Sequence, residues 1–374
     1  MGCLTHSFTD VPVVPGVTPI QTATKGGPIW PDFTSQSLLR HCRNGVPVDL
    51  EPLLSAAPKR AMPQAVWGCF LDLRFGHLIA EHLSRLPLAL RQWPDLPVLF
   101  AAPEGVTLTT LPGWVWDIFA WIGLDASRVG LVTEPLLVDQ LFACPQQEMM
   151  FNIGPSQAYL DLLTSWTDRL PHCPTALLYV TRAGLLTNGR GGLAGEGYLT
   201  QLLQDLGVAI LDPATSPLTY QLQAYAGASQ IVFCEGSAVH GRQLLGRIDQ
   251  DIHILRRRDG HSIAQAQMIP RARLVQYHDV AGATLPVHWK SGLRRADADL
   301  RLYDVDRLFA CFETLGVALR PHWSPDAYRA AAIADISAWT AARKPSAQVL
   351  AQYHQTLHDA QMLPPSLPIK TAKG

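Results

Sequence analysis

Residues 230–246 read QIVFCEGSAVHGRQLLG. A short run of β-branched and aromatic residues ends at Cys234, Gly236 permits a sharp turn, and helical spacing follows. This is a buried strand, a turn and a covering helix, and the unit repeats around it. ALLYVT (176–181) is a strand that leads through a glycine-rich loop to the helix GYLTQLLQDLG (197–207). VAILD (208–212) leads to the helix LTYQLQAYAGA (218–228), and SAVHGRQLLGR (237–247) leads to the strand DIHILRR (251–257). Upstream, VWGCFL (66–71), PVLFAA (97–102) and VGLVT (129–133) alternate with helical patterns over 76–93 and 114–124. Apolar strands alternating with helices at this spacing predict parallel sheets covered on both faces. The fold class is therefore α/β, with two doubly wound, Rossmann-like domains facing a cleft.

The boundaries follow from breaks in the pattern. Residues 1–60 are proline-rich, without sustained period, and read as an irregular N-terminal arm. An N-terminal α/β domain spans 61–170 and a C-terminal one 171–300; helices and a tail, LPPSLPIKTAKG, fill 301–374. A chain of 374 residues with 30 basic and 31 acidic side chains has no cationic footprint for nucleic acid. With 48% hydrophobic and 16% charged residues it is not a disordered protein. Seven scattered cysteines without a CxxC pair fit a reducing compartment. The N-terminal stretch has no secretory pattern, and no window approaches the ~20 apolar residues of a membrane span. A cytoplasmic protein is expected, with peripheral membrane contact still open.

Three stretches carry residues suited to chemistry. In CEGSAVH (234–240), amides after Gly236 suit a phosphate or diphosphate, Ser237 suits a helix cap, and Glu235 suits ribose hydroxyls. A plain helix cap explains the same residues. In VTRAGLLTNGRGGLAGEG (180–197), Arg182 stands at a strand tip, Asn188 and Arg190 lie in a glycine-rich loop, and Glu196 opens the next helix. Arginine's planar fork matches a diphosphate; a solvated surface loop is the competing reading. In FGHLIAEHLSRLP (75–87), His77 and Glu81 stand four apart on one helical face, as a base and the carboxylate that orients it, or as a capping histidine and a solvated glutamate. Neither HExxH nor HxxEH is present, so no metal site is expected. The run Arg256–Arg258, after a strand, is either a solvated face or a grip on an anionic substrate.

The order YVTR (179–182), NGR (188–190), GEG (195–197), LLQDLGVAILDP (202–213) and YQLQAYAGASQIVFCEGSAVH (220–240) resembles the family 61 glycosyltransferases, with a weaker echo in GHLIAEHLSRLP (76–87). The resemblance implies a GT-B architecture with an acceptor-side N-terminal domain and a nucleotide-sugar-binding C-terminal domain. It implies metal-independent, inverting transfer from a nucleotide-sugar donor to a glycan or glycoconjugate acceptor, with no cofactor. It would set Arg182, Asn188, Arg190, Glu196, Glu235, Gly236, Ser237 and His240 around the donor, with His77 as base and Glu81 as second candidate. The alternatives are a degenerate member that binds a nucleotide sugar or a partner without turnover, and an α/β enzyme of phosphorylated metabolites.

Overall fold

Strand residues alternate between two apolar environments, and that alternation builds the molecule as layers. The computed structural model describes residues 5–20 and 23–362; the expected tail from 363 lies outside them. The first sheet has six strands in the order Ala23–Pro28, His6–Ile20, Leu136–Ala143, Arg60–Phe70, Val98–Ala101, Val129–Leu131. Its last four run parallel, and the first two add an antiparallel edge. The second sheet is wholly parallel, in the order Ala209–Leu211, Thr175–Val180, Ala228–Cys234, Asp251–Leu255, Leu274–His278. A three-stranded sheet of Gly192–Leu193, Leu300–Tyr303 and Ala281–Leu285 lies beside it.

On the first sheet, Val66, Cys69, Val98 and Phe100 face one cluster while Trp67, Phe70, Leu99 and Ala101 face another. On the second, Leu178, Val180, Ile231 and Phe233 face that first cluster, while Tyr179, Val232 and Cys234 pack under the C-terminal helices Val305–Thr314, Pro325–Arg343 and Ala347–Asp359. The two sheets therefore share one continuous apolar layer. Polar groups tie the halves together as well. Arg271 and Glu148, both fully buried, pair at 2.7 Å, and Trp121 donates to the Leu244 carbonyl at 3.0 Å.

The strands and helices over 97–133, 176–234 and 251–255 and the helices from 304 onward follow the sequence pattern closely, but three expectations change. The stretch expected to be an irregular arm contributes His6–Ile20 and Ala23–Pro28 to the first sheet. Its prolines fit because Pro15 and Pro19 lie past the pairing with Leu136–Ala143, which covers only His6–Val13, while Pro12, in register with Leu137, keeps its carbonyl bonded to the Ile29 amide at 2.8 Å. The helix expected over 76–93 is a composite: an α-turn Phe75–His77, a π-turn Leu78–His82, a 3₁₀ turn Leu83–Arg85 and an α-helix Leu86–Gln92 with Pro87 in its first turn. A continuous helix would set the Pro87 ring against the carbonyl four residues back. The helix expected over 237–247 is an α-turn, Ala238–Gly241, and a 3₁₀ turn, Arg242–Leu244.

Candidate functional site at the switch point

The chain visits the second sheet in the spatial order second, first, third, fourth, fifth. Neighbouring connections leave in opposite directions between Thr175–Val180 and Ala228–Cys234, and open α/β sheets bind ligands in the crevice this creates beyond the strand ends. Arg182 follows the first of these strands; Glu235, Gly236 and Ser237 follow the second.

Arg182 lies across Gly236. A Cβ on Gly236 would fall 1.8 Å from a guanidinium nitrogen, so only glycine admits this crossing. The arginine donates to the Gly191 carbonyl at 3.2 Å, and its Nε is buried without an acceptor among the described residues. Arg257 stands next to it, held by the carbonyls of Glu235 (3.0 Å) and Asp297 (2.9 Å). Burial brings Arg257 down to about 10, and the charges of Arg182 and Arg258 add to the effect. Among the described residues neither the Arg182 nor the Arg257 guanidinium bonds a carboxylate. Two cations held together by neutral carbonyls make a strong anion field.

The two glutamates expected to touch a donor are turned into the protein. Glu196 is fully buried and accepts from the Arg182 amide at 2.6 Å, Thr181 Oγ1 at 3.1 Å and the Tyr179 hydroxyl at 3.2 Å; burial pushes its carboxyl up. Glu235 is also fully buried. It accepts from the amides of Arg257 (2.9 Å) and Arg258 (3.1 Å) and from the Arg258 guanidinium, and lies 3.2 Å from His261 Nδ1. Burial alone would raise the Glu235 carboxyl, but His261, Arg258 and Arg257 hold it down at about 2. Both glutamates position arginines; Glu235 has both oxygens occupied, while Glu196 Oε2 is buried and has no hydrogen-bond partner among the described residues. Asn188 and Arg190 are exposed on the loop before Gly191, which is fastened to the C-terminal helices through the bond from Arg343 to the Gly189 carbonyl.

Ser237 is exposed and already helical (φ −61°, ψ −23°), and its hydroxyl makes no capping bond. His240 is buried, and its Nδ1 bonds Gln243 Oε1 at 2.6 Å. Burial keeps this imidazole neutral, down at about 4. Both residues pack against Gly76 from the other half. A Cβ on Gly76 would meet His240 Cδ2 at 2.8 Å and the Ser237 hydroxyl at 3.3 Å. The chain thus brings His77 to the crevice from about 160 residues away in sequence.

His77 is half-buried, and its Nδ1 bonds Glu81. That carboxylate is sealed from solvent and also accepts from His41 Nε2 at 3.0 Å and Arg43 Nε at 2.6 Å. Burial pushes the Glu81 carboxyl up, but the bonds from His41 and His77, the charge of His82 and the bond from Arg43 outweigh it and hold the group far below the usual carboxylate range. An ionised acceptor at Nδ1 fixes the proton there and leaves the lone pair on Nε2, so His77 is the base-like group and Glu81 its orienter. Glu81 itself makes a poor base, being sealed and fully occupied. His41 and Arg43 come from the N-terminal stretch, where no periodicity announced them; Arg85 holds that stretch by the carbonyls of Leu39 and Arg40.

His41, Glu81 and His82 hold ligand-type atoms within 4.8 Å of one another. The oxygen that would bind a metal already accepts from both Arg43 and His41, so the cluster is built as an ion-pair network. No helix among the described residues is long and apolar enough to cross a membrane. Compared with protein-family models and with curated proteins, the chain matches none.

Proposed function

We propose that the protein is a glycosyltransferase of GT-B type, working in the cytoplasm and moving a sugar from a nucleotide-sugar donor to a glycan or glycoconjugate acceptor. The observation that carries this reading is the packing of Gly76 on Ser237 and His240, which sets an oriented histidine beside the switch point, where Arg182 and Arg257 have no carboxylate partner among the described residues. The resemblance of 176–245 to the family 61 glycosyltransferases supplies the reaction class. In an inverting transfer, His77 Nε2 takes the proton of the acceptor hydroxyl as that oxygen bonds the anomeric carbon. The bond from that carbon to the diphosphate breaks on the opposite face. Negative charge then grows on the leaving diphosphate, where Arg182 and Arg257 stand ready to stabilise it.

The test is calorimetric binding of nucleoside diphosphates and nucleotide sugars, followed by a transfer assay. One nucleotide is expected to bind, Arg182→Gln to abolish that binding, and His77→Asn to keep it while lowering transfer by roughly 10²–10⁴-fold. Glu81→Gln is expected to act in the same direction as His77→Asn. Binding without turnover on any acceptor would favour a nucleotide-sugar-binding protein, and binding of no nucleotide would sink both readings.

A further inference from the structure

Beyond the carboxyl ends of the strands Asp251–Leu255 and Leu274–His278, beside the switch point, lies a pocket of about 260 Å³. Four chain segments converge on it: Arg256, Arg258 and Asp259 after the first strand, Asp279 after the second, Arg301 from the strand Leu300–Tyr303, and Arg307 from the helix Val305–Thr314. No aromatic or large aliphatic residue lines it.

Two of its cations, Arg256 and Arg301, are fixed while their anions are replaceable; Arg258 is already paired with buried Glu235, and Arg307 is 62% exposed beside Asp304 at 3.1 Å. Arg256 is held on all sides, by the His261 carbonyl at 2.9 Å and Ser262 Oγ at 2.9 Å, and lies over the Tyr277 ring. Arg301 has a side chain only 9% exposed, yet its partner Asp259, at 2.6 Å, is 72% exposed and stands next to Gly260. Arg301 Nε is buried and has no acceptor among the described residues. Asp279, which pairs with Arg256 at 3.1 Å, is 61% exposed. Exposed ion pairs of this kind contribute little to stability, and a buried guanidinium whose counter-ion sits in water is poorly compensated. The arrangement suits exchange: an incoming anion displaces Asp259 from Arg301.

We propose that this pocket is a binding site, separate from the switch-point crevice, for a phosphoryl group carried on a small hydroxylated ligand such as a sugar phosphate. The arginines take the phosphoryl oxygens, and the displaced aspartates accept from hydroxyls. A purine or pyrimidine base has nothing to stack on here. The inference stands independently of glycosyl transfer.

The experiment is titration of the protein with inorganic pyrophosphate at constant ionic strength in chloride, by calorimetry. Arg307→Gln, a change on an exposed helix face, is expected to weaken binding at least tenfold. Asp259→Asn, which removes the competing carboxylate, is expected to tighten it severalfold; both shifts are required. Pyrophosphate binding that neither variant alters would belong to the crevice at Arg182 and would overturn the proposal, as would binding no stronger than that of chloride. Nucleoside diphosphate binding is expected to be the same in Arg307→Gln as in the unaltered protein, so this result separates the pocket from the crevice.

Discussion

His240 carries a consequence for acid stability. Its folded value is about 4, against an ordinary 6.5, because burial disfavours the charged ring. Between those values the unfolded chain holds a proton that the folded chain rejects, so stability falls as pH drops from 6.5 toward 4 and levels off below. The loss attributable to this group is about 2 kcal/mol by pH 5. Thermal melts from pH 7.5 to 5 are expected to show the decline, and His240→Gln to flatten it in part, since His82 is displaced in the same direction. An unchanged slope in the variant would exclude His240 as the cause. The identity of a side chain was legible in sequence more readily than its orientation. The spacing of His77 and Glu81 on one helical face anticipated their bond, because a four-residue interval fixes a neighbour. Glu196 and Glu235 were read as ligand contacts, because a carboxylate beside a strand tip looks the same whether it faces a ribose or its own chain's amides. His41 and Arg43 reach Glu81 from about 40 residues away, through contacts that no local pattern encodes.

The segment 75–92 is where local pattern and three-dimensional role diverge most. Its apolar residues were spaced for one helical face, yet every residue from Leu78 to Leu90 is buried. A segment lying between two sheets has no solvent face, so periodicity no longer discriminates. The π-turn at Leu78–His82 widens the helix and turns Glu81 and His82 inward together, which an ideal helix would set about 100° apart. The entry to this segment is the contact of Gly76 with His240. Gly76→Ala puts a methyl into a ring that Gln243 holds in place, and is expected to cost about 1–3 kcal/mol in denaturant unfolding. The methyl also pushes this segment, and His77 with it, away from His240 and Ser237 on the other half, so transfer activity is expected to fall further than stability explains. A fully stable, fully active variant would show that the halves do not need this close approach. Strands with continuous apolar runs were readable, because a buried parallel strand has a composition of its own. LLVDQLFA (136–143) was missed because two polar residues interrupt it, and the antiparallel edge because prolines normally argue against strands.

Taken as a body, the protein is a stack: the arm around Trp30 and Leu39, the first sheet with the N-terminal hairpin as its edge, the shared apolar layer, the second sheet and the C-terminal helices. The α/β class with parallel sheets was legible because alternating strands and helices dictate covered parallel sheets; an arrangement of two domains facing a cleft does not follow from that alternation. The sharing of one layer by both sheets was not, since sequence says which faces are apolar and not which faces meet. Two domains with separate cores would unfold in two steps. With a common layer, tryptophan fluorescence and far-ultraviolet circular dichroism are expected to report one coincident denaturant transition. A resolved intermediate in which one sheet survives alone would contradict the shared core. The same layer also sets a schedule for synthesis. When residue 170 leaves the ribosome, the segments 75–92 and 113–122 already lie on the inner face of the first sheet, but the apolar surface they turn to the second sheet is covered only when the chain out to about residue 268 arrives. At ~5–20 residues per second, roughly 100 more residues take about 5–20 s, during which a nascent chain holds an uncovered apolar face to the cell. Production of this protein is therefore expected to depend on chaperones that shelter that face while translation finishes.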